Sequence, residues 1–350
     1  MNKKKGVSYA KWGYIFALPF CIAYLIFMIY PILNTFSIGF TNMTDRLQMQ
    51  IAQEEMMGIE PTVEVELLKD EEGNLAVFDN YKFVLTDPNF WSSLKNTCII
   101  WGVNFVPQIL LALVLAVWFT STRNKIKGKG LFKVLFYMPN IITAATIAML
   151  FTKLFDYNKG PVNDVLRMLG VIESNIDFFS NEFASKAIVA FVQFWMWYGY
   201  TMIILISGIL GISPELFEAA DIDGANGWQK FRYVTLPNLK SIMLFTLVTS
   251  MIGGMTMFDI PYMVGGQGGI KGHIRTLSVY IFEMSFTGGK LYNRASAASM
   301  LVFAMIAVLA AVIFFMLRDK DEIARHKIEK AQTKAYKQQL KEEKAKGGVQ

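Results

Sequence analysis

Chemistry that makes and breaks bonds needs titratable or nucleophilic groups converging at one depth. This chain keeps nearly all such groups out of its long apolar runs. Its two histidines, His273 and His326, are far apart and lack companion ligands, so neither a metal site nor a general base is expected. Cys21 and Cys98 lie singly within apolar runs and frame neither a zinc site nor a disulfide scaffold. No G-x-x-x-x-G-K-[ST] stretch is present, so the chain is not expected to bind ATP or to need a cofactor. What it does gather is charge at one place: Glu215, Glu218, Asp221, Asp223, Lys230 and Arg232 fall within 213–237, between two apolar runs. The chemistry available there is recognition, a surface that a soluble partner can grip. An ordinary amphipathic helix lying at a membrane interface is the competing reading.

The elements that must position this surface follow from composition. Of 350 residues, 53% are apolar and only 18% are charged, and the apolar residues fall in runs close to the length that crosses a bilayer. In lipid every backbone polar group must be satisfied within its own segment, so each run is predicted to be a helix. About six spans are expected, at Tyr14–Phe40, Leu94–Phe119, Leu131–Leu154, Lys186–Leu210, Leu239–Tyr262 and Ala295–Leu317. Pro31, Pro107 and the Met138-Pro139-Asn140 stretch should kink or interrupt their spans. The net charge of +6 does not point to nucleic acid, because the basic residues sit beside apolar runs. Five of them, Arg123, Lys125, Lys127, Lys129 and Lys133, crowd one short connection without an acid. That connection, the basic residues of 1–11 and the tail 318–350 all land on one side if six spans alternate. The expectation is a multi-pass protein of a bacterial cell membrane with both termini cytoplasmic.

Four regions follow: 1–42 as N-terminus and first span, 43–90 as an acidic extracytoplasmic loop, 91–317 as the transmembrane core, and 318–350 as a basic helical tail. The acidic loop carries eleven Asp/Glu against three Lys/Arg. Thr62 to Leu68 alternates, Glu71-Glu72-Gly73-Asn74 supplies a turn, and Leu75 to Phe78 follows, so a small β-hairpin is predicted. The loop reads as a solvated spacer or as a docking surface for an external partner. Asp87-Pro88-Asn89-Phe90 reads as the start of a helix. Val162–Leu169 reads as a short amphipathic piece in the loop before the fourth span.

Within 213–237, Ser213-Pro214-Glu215 is an N-cap, a proline at the first helical position and an acid in the first turn. A helix is predicted from Pro214 through about Ile222, a break at Asp223-Gly224, and a second helix from about Trp228. Ala219 and Ala220 leave a flat face for close approach, and Gly224 permits a turn that a Cβ would resist. Pro237 should kink or open the fifth span.

Glu218-Ala219-Ala220, three residues, Gly224, nine residues and Val234-Thr235-Leu236-Pro237 together resemble the EAA loop of importer permeases in the ATP-binding-cassette superfamily. Val234 is the one departure, standing where isoleucine is usual. The likeness extends from about Asn80 to Leu317. Asn80-Tyr81, Asp87-Pro88, Phe90 and Leu94-Lys95-Asn96-Thr97 look like the opening segment of the carbohydrate branch. Phe258-Asp259-Ile260 and Gly265-Gly266-Gln267-Gly268-Gly269 look like that branch's segment after the fifth span. The chain is most similar to the maltose-permease-F-like member of a permease pair. The resemblance implies the helical permease fold of type I importers, and a non-enzymatic subunit working with a second homologous permease, two cytoplasmic ATPases and an extracytoplasmic sugar-binding protein. It also implies that Glu218, Ala219, Ala220, Asp223, Gly224, Leu236 and Pro237 couple the spans to an ATPase. Residues 43–78 are not explained by it.

The implied cargo is a mono- or oligosaccharide. Sugars are hydroxyl-rich with apolar ring faces, which suits aromatic stacking and a few polar groups. Trp197 and Tyr200 share a helical face with Ile204, and Ser250, Gly253, Gly254 and Met257 share another. Tyr200 and Ser250 fall where the maltose permease has cavity residues. The aromatic and asparagine positions after Ser250 become Gly253, Gly254 and Met257, which puts maltose-type contacts in doubt and implies a wider cavity. Close helix packing through small residues is the alternative. Asp259 could bind a sugar hydroxyl, pair with a partner's arginine or cap a broken helix. Glu283 and Arg294 are candidates for contact with a binding protein, or a solvated face. Other cargo, such as glycerol phosphate or a polyamine, and a non-transporting membrane scaffold are the competing functions. An anionic solute would want a base within the spans, where Lys153 is the candidate.

Overall fold

The computed structural model describes residues 10–121, 127–264, 268–287, 289–317, 329–333 and 338. Arg123 and Lys125 of the basic connection, the basic residues Lys3 to Lys5, Gly265-Gly266-Gln267 and nearly all of the tail lie outside the described residues.

The described chain is helical, in the order α1 (Ala10–Tyr24), α2 (Tyr30–Ile38), α3 (Asp45–Met56), α4 (Asp79–Thr86), α5 (Pro88–Thr120), α6 (Lys129–Ile141), α7 (Ala144–Leu154), α8 (Pro161–Met168), α9 (Glu182–Leu210), α10 (Pro214–Ile222), α11 (Gly227–Lys230), α12 (Leu236–Asn238), α13 (Lys240–Met255), α14 (Asp259–Met263), α15 (Leu277–Phe286) and α16 (Tyr292–Leu317). Five segments are long and apolar enough to cross a membrane, and α6 with α7 makes a sixth if that pair is one bent span.

Prolines shape the spans, each through its own local chemistry. A proline ring clashes with the carbonyl four residues earlier. For Pro31 that carbonyl belongs to Phe27, and the helix widens to i→i+5 turns over Leu25–Ile29 instead of stopping. Pro107 lies inside a continuous α5. Pro139 lies inside α6, and the break comes after it, at Ile142-Thr143, where the chain bends by 87°. Thr143 then caps α7, its hydroxyl accepting the Thr146 N–H at 3.4 Å. The fifth span is broken too: Thr256 to Phe258 separate α13 from α14.

The chain divides into two compact units. The first comprises Met1–Pro107, Ile141–Met196 and Gly253–Ala307. Its core is Ile100 on α5, Ile147, Ala148 and Phe151 on α7, Ile188, Val189, Ala190, Val192 and Met196 on α9, and Met257, Ile260, Val264 and Ile274. Long-range polar bonds pin its loops. The Asn80 amide donates to the carbonyls of Gly39 (3.0 Å) and Thr41 (2.9 Å). That of Asn96 donates to Gly272 and Arg275, each at 3.1 Å, and the Thr97 hydroxyl accepts the Leu277 N–H at 3.0 Å. The residues of the resembling opening segment therefore hold the backbone that leads into α15.

The second unit comprises Gln108–Asn140, Trp197–Ile252 and Val308–Gln350. Here α9 approaches α6 so closely that a Cβ on Gly199 would lie 2.1 Å from the Phe136 carbonyl oxygen. Gln108 and Thr201 share a buried side-chain hydrogen bond at 2.7 Å. The apolar surfaces of the spans are otherwise widely exposed, as along α1 and α16. Hydrocarbon is the solvent that suits such a surface.

The predicted β-hairpin is reduced to isolated bridges. Lys69 and Leu75 pair antiparallel around a turn in which Gly73 has φ +85°, but Leu67 pairs with Thr41. Residues 64–68 spend their ladder bonds on the end of the first span: Leu68 N–H donates to Phe40 (2.9 Å) and Asn42 N–H to Glu66 (3.1 Å). No strand forms among the described residues. The acidic loop also contains α3, capped by the Thr44 hydroxyl and closed by Glu54, whose carboxylate accepts the Thr62 N–H (2.6 Å) and hydroxyl (2.7 Å).

Candidate functional site

The charged stretch between α9 and α13 folds as the sequence predicts. Pro214 opens α10 with Glu215 in its first turn. Ser213 does not cap with its side chain; its carbonyl instead accepts the Leu216 N–H at 3.2 Å. The helix ends in a Schellman motif. Ala225 N–H donates to Ala220 (2.9 Å) and Gly224 N–H to Asp221 (3.1 Å), with Gly224 at φ +72°. Asn226 and Gln229 then form a reciprocal capping box that starts α11. Lys230 reaches back to pair with Asp221, tying the two short helices together.

Pro237 acts as Pro31 does. Its ring displaces the Tyr233 carbonyl, and Phe231–Thr235 widens to i→i+5 turns. The Asn238 amide donates to the Val234 carbonyl at 2.7 Å and satisfies part of the opened backbone. Leu236, half-buried, joins Pro237 in α12.

Glu218, Ala219, Asp223 and Gly224 are exposed, and Ala220 is half-buried beneath them. Glu218 has no hydrogen-bond or ion-pair partner among the described residues, unlike Asp221 one turn on. Large apolar side chains in the same stretch are uncovered: Ile222, one turn on from Glu218, is 88% exposed and Trp228 on α11 69%. α10 thus presents an unpaired carboxylate, small residues and exposed apolar groups on a helix with both ends fixed.

The predicted cargo-facing residues fare unevenly. In the second unit, Trp197 and Tyr200 meet edge to face with ring centroids 5.8 Å apart, and both are partly exposed. Ser250 lies on α13, half-buried. In the first unit, Gly253 has open space around it, whereas a Cβ on Gly254 would sit 2.1 Å from the Trp101 ring. Gly254 is therefore a packing glycine. Met257 does not share the α13 face, because the helix ends at Met255; its side chain is buried in the core. Asp259 is exposed in the first turn of α14, where a carboxylate complements the helix dipole.

Glu283 and Arg294 are occupied within the chain. Glu283 pairs with Arg275 at 2.8 Å, and Arg294 stacks 3.8 Å above the Phe83 ring. Burial pushes the Glu283 carboxyl above the usual range, with Arg275 opposing that shift. Sequence reasoning passed over Trp101, the Gln108–Thr201 bond and Lys186. The last is buried near the start of α9 and paired with Glu182. A lysine so near a span end is visible in the sequence, but its burial is not.

Five or six segments long and apolar enough to cross a membrane define a polytopic membrane protein. Residues 99–319 match the family described as binding-protein-dependent transport system inner membrane component, and the chain belongs to that family. It is 30% identical over 309 residues to the lactose transport system permease protein LacF of Rhizobium radiobacter, covering 88% of this chain and 94% of that one. It is 27% identical over 307 residues to the arabinooligosaccharides transport system permease protein AraP of Bacillus subtilis, covering 87% of each. A crystal structure of a bacterial ABC transporter involved in the import of the acidic polysaccharide alginate aligns with a TM-score of 0.65 at 21% identity, over 90% of this chain and 97% of that one.

Proposed function

We propose that this chain is the transmembrane subunit of an ATP-driven importer for a mono- or oligosaccharide. The observation that carries the reading is the surface at 213–237. It is exposed, its two short helices are tied by the Lys230–Asp221 pair, and it carries an unpaired Glu218 in the stretch between two spans. The saccharide cargo is supported by the lactose and arabinooligosaccharide permeases to which the chain is similar along most of its length.

In this reading two partner ATPases dock on α10 of this chain and of a second, homologous permease. Nucleotide-driven closure of the ATPases then shifts the permease pair between inward-open and outward-open states. A loaded binding protein biases the same equilibrium from outside. The termini and 213–237 face the cytoplasm, and 43–90 faces outward. Trp197 and Tyr200 offer aromatic faces to the cargo, with Ser250 as a polar contact. Because Glu218 is exposed and unpaired, its replacement leaves the fold intact and acts on coupling alone.

The test is uptake by the reconstituted importer across a panel of labelled saccharides, with glycerol phosphate and a polyamine as controls. Saturable uptake of one saccharide group is expected. Uptake confined to the controls, or of nothing in the panel, overturns the cargo assignment.

A further inference from the structure

Between α7 and α9 the chain folds into a tight loop built around Asn163, which is 1% exposed. The Asn163 amide donates to the carbonyls of Ile176 (3.1 Å) and Asp156 (3.3 Å), and its oxygen accepts the Ile176 N–H at 3.0 Å. Phe155 and Phe178 meet edge to face at 5.2 Å. Gly160 has no room for a side chain, since a Cβ would lie 2.3 Å from the Asp156 carbonyl oxygen. These contacts fix α8 in place, yet its outer side is apolar and uncovered. Val165, Met168 and, just beyond the helix, Leu169 and Val171 are all exposed, Met168 by 86%.

A groove of about 520 Å³ opens beside the first turn of α8, lined by Leu150, Lys153, Leu154, Asp156, Lys159 and Pro161 among others. Neither lysine ammonium has a hydrogen-bond or ion-pair partner among the described residues. Asp156 is already engaged: its carboxylate accepts the N–H groups of Lys159 (2.8 Å) and Asn158 (3.0 Å). Those bonds and the two ammonium groups hold it ionised below the usual carboxylate range, against the effect of burial. The groove thus carries two cations against one committed anion. Its apolar wall, Leu150, continues onto exposed Met149 of α7, a segment of a membrane span.

We propose that this groove binds the anionic phosphate headgroup of a phospholipid, with α8 lying in the membrane interface. Lys153 and Lys159 face the phosphate, Leu150 and Leu154 line the start of an acyl chain, and Met168 and Leu169 enter the headgroup–acyl boundary. Three physical rules converge on that occupant. An amphipathic helix, here preceded by Lys159, lies in the interface plane, lysines at span ends carry their charge to the headgroup level, and anionic lipid attracts such cations. The inference rests on the membrane-spanning character of the chain and not on its cargo.

The full-length chain in nanodiscs of mixed phosphatidylglycerol and phosphatidylcholine tests it, with retained lipid counted by native mass spectrometry. Preferential retention of phosphatidylglycerol is expected, falling roughly fivefold for each charge removed in Lys153→Gln/Lys159→Gln, and kept in Lys153→Arg/Lys159→Arg. Equal retention of both lipids, or displacement by excess inorganic phosphate, overturns the site, the latter in favour of a soluble anion. A spin label at Met168→Cys, in a background of Cys21→Ser and Cys98→Ser, should be relaxed by oxygen and shielded from a water-soluble nickel chelate. A label as open to the chelate as one at Glu72→Cys, or one shielded only when a solute-binding protein is added, overturns the interfacial placement.

Discussion

The Tyr280 hydroxyl donates to the Asp87 carboxylate at 2.7 Å across 193 residues of sequence, joining α15 to the residue that precedes α5. Asp87 also accepts the Asn89 N–H at 2.9 Å, so one carboxylate both starts α5 and anchors α15. Burial, with Asp87 beside it, raises the Tyr280 hydroxyl far above its ordinary range. Tyr280→Phe should lower stability by about 1.5–3 kcal/mol, the scale of a hydrogen bond to a charged group. A tyrosine raised in the folded state favours its neutral form there. Its contribution is therefore complete below the unfolded value and is lost as pH rises through the folded one. Thermal unfolding in detergent should show a gap between wild type and Tyr280→Phe that is constant through neutral pH and shrinks only in strong alkali.

Gly254 and its neighbour Gly253 separate packing from open space. Gly254→Ala should destabilise by about 1–3 kcal/mol through overpacking against Trp101. Gly253→Ala has nothing within 4 Å to meet and should be neutral or slightly stabilising, since it lies in the last turn of α13, where alanine is the better helix former. Equal melting temperatures for the two variants would remove the packing role from Gly254.

Much of this architecture can be read from the chain, and the readable parts share a cause. The spans follow from apolar length, α10 from Ser213-Pro214-Glu215, and its end from Gly224. Each is a local signal whose local consequence survives in the fold. The misreadings arise where long-range pairing decides. Residues 62–68 have strand alternation, but the first span's end at Phe40–Asn42 competes for their backbone, so only bridges form. Met257 falls on the i+7 position only if α13 continues, and the break at Thr256 to Phe258 turns it into the core instead. No periodicity could link Asp87 to Tyr280 or Asn96 to Gly272.

Gly224 carries a positive φ that a Cβ penalises by roughly 1–2 kcal/mol. Gly224→Ala should loosen the junction of α10 and α11, whereas Gly224→Asn, which tolerates the left-handed region, should cost less. Hydrogen exchange at the Gly224 and Ala225 amides reads this directly, and their protection should fall in the order Gly, Asn, Ala. Identical protection in all three would show that the junction is held by the Lys230–Asp221 pair instead.

Glu218→Lys separates coupling from folding. Its side chain is exposed and unpaired within the chain, so the melting temperature should stay within the range of a neutral surface change, about ±0.5 kcal/mol. Uptake by the assembled importer should nevertheless be lost, with ATP hydrolysis no longer stimulated by loaded binding protein. Undiminished uptake would leave α10 an interfacial helix without a coupling role.

Glu54 offers a test by pH of the loop that follows the first span. Hydrogen bonds from the Thr62 hydroxyl and backbone, then from Gln50, hold its carboxyl below the ordinary glutamate range, with burial opposing only weakly. A depressed carboxyl favours folding when ionised. Its contribution is therefore present above the ordinary glutamate value and lost as pH falls through the depressed, folded one. The bonds close 54–62 against α3, so acid should release that closure before the rest of the chain is affected. Limited proteolysis by an acid-active protease should cut near residues 57–61 with rising efficiency as pH drops below the ordinary glutamate range. Glu54→Gln keeps an acceptor but cannot titrate, so its cutting should not change with pH beyond the protease's own profile. If wild type and Glu54→Gln respond alike to acid, the closure is held by something other than the Glu54–Thr62 bonds.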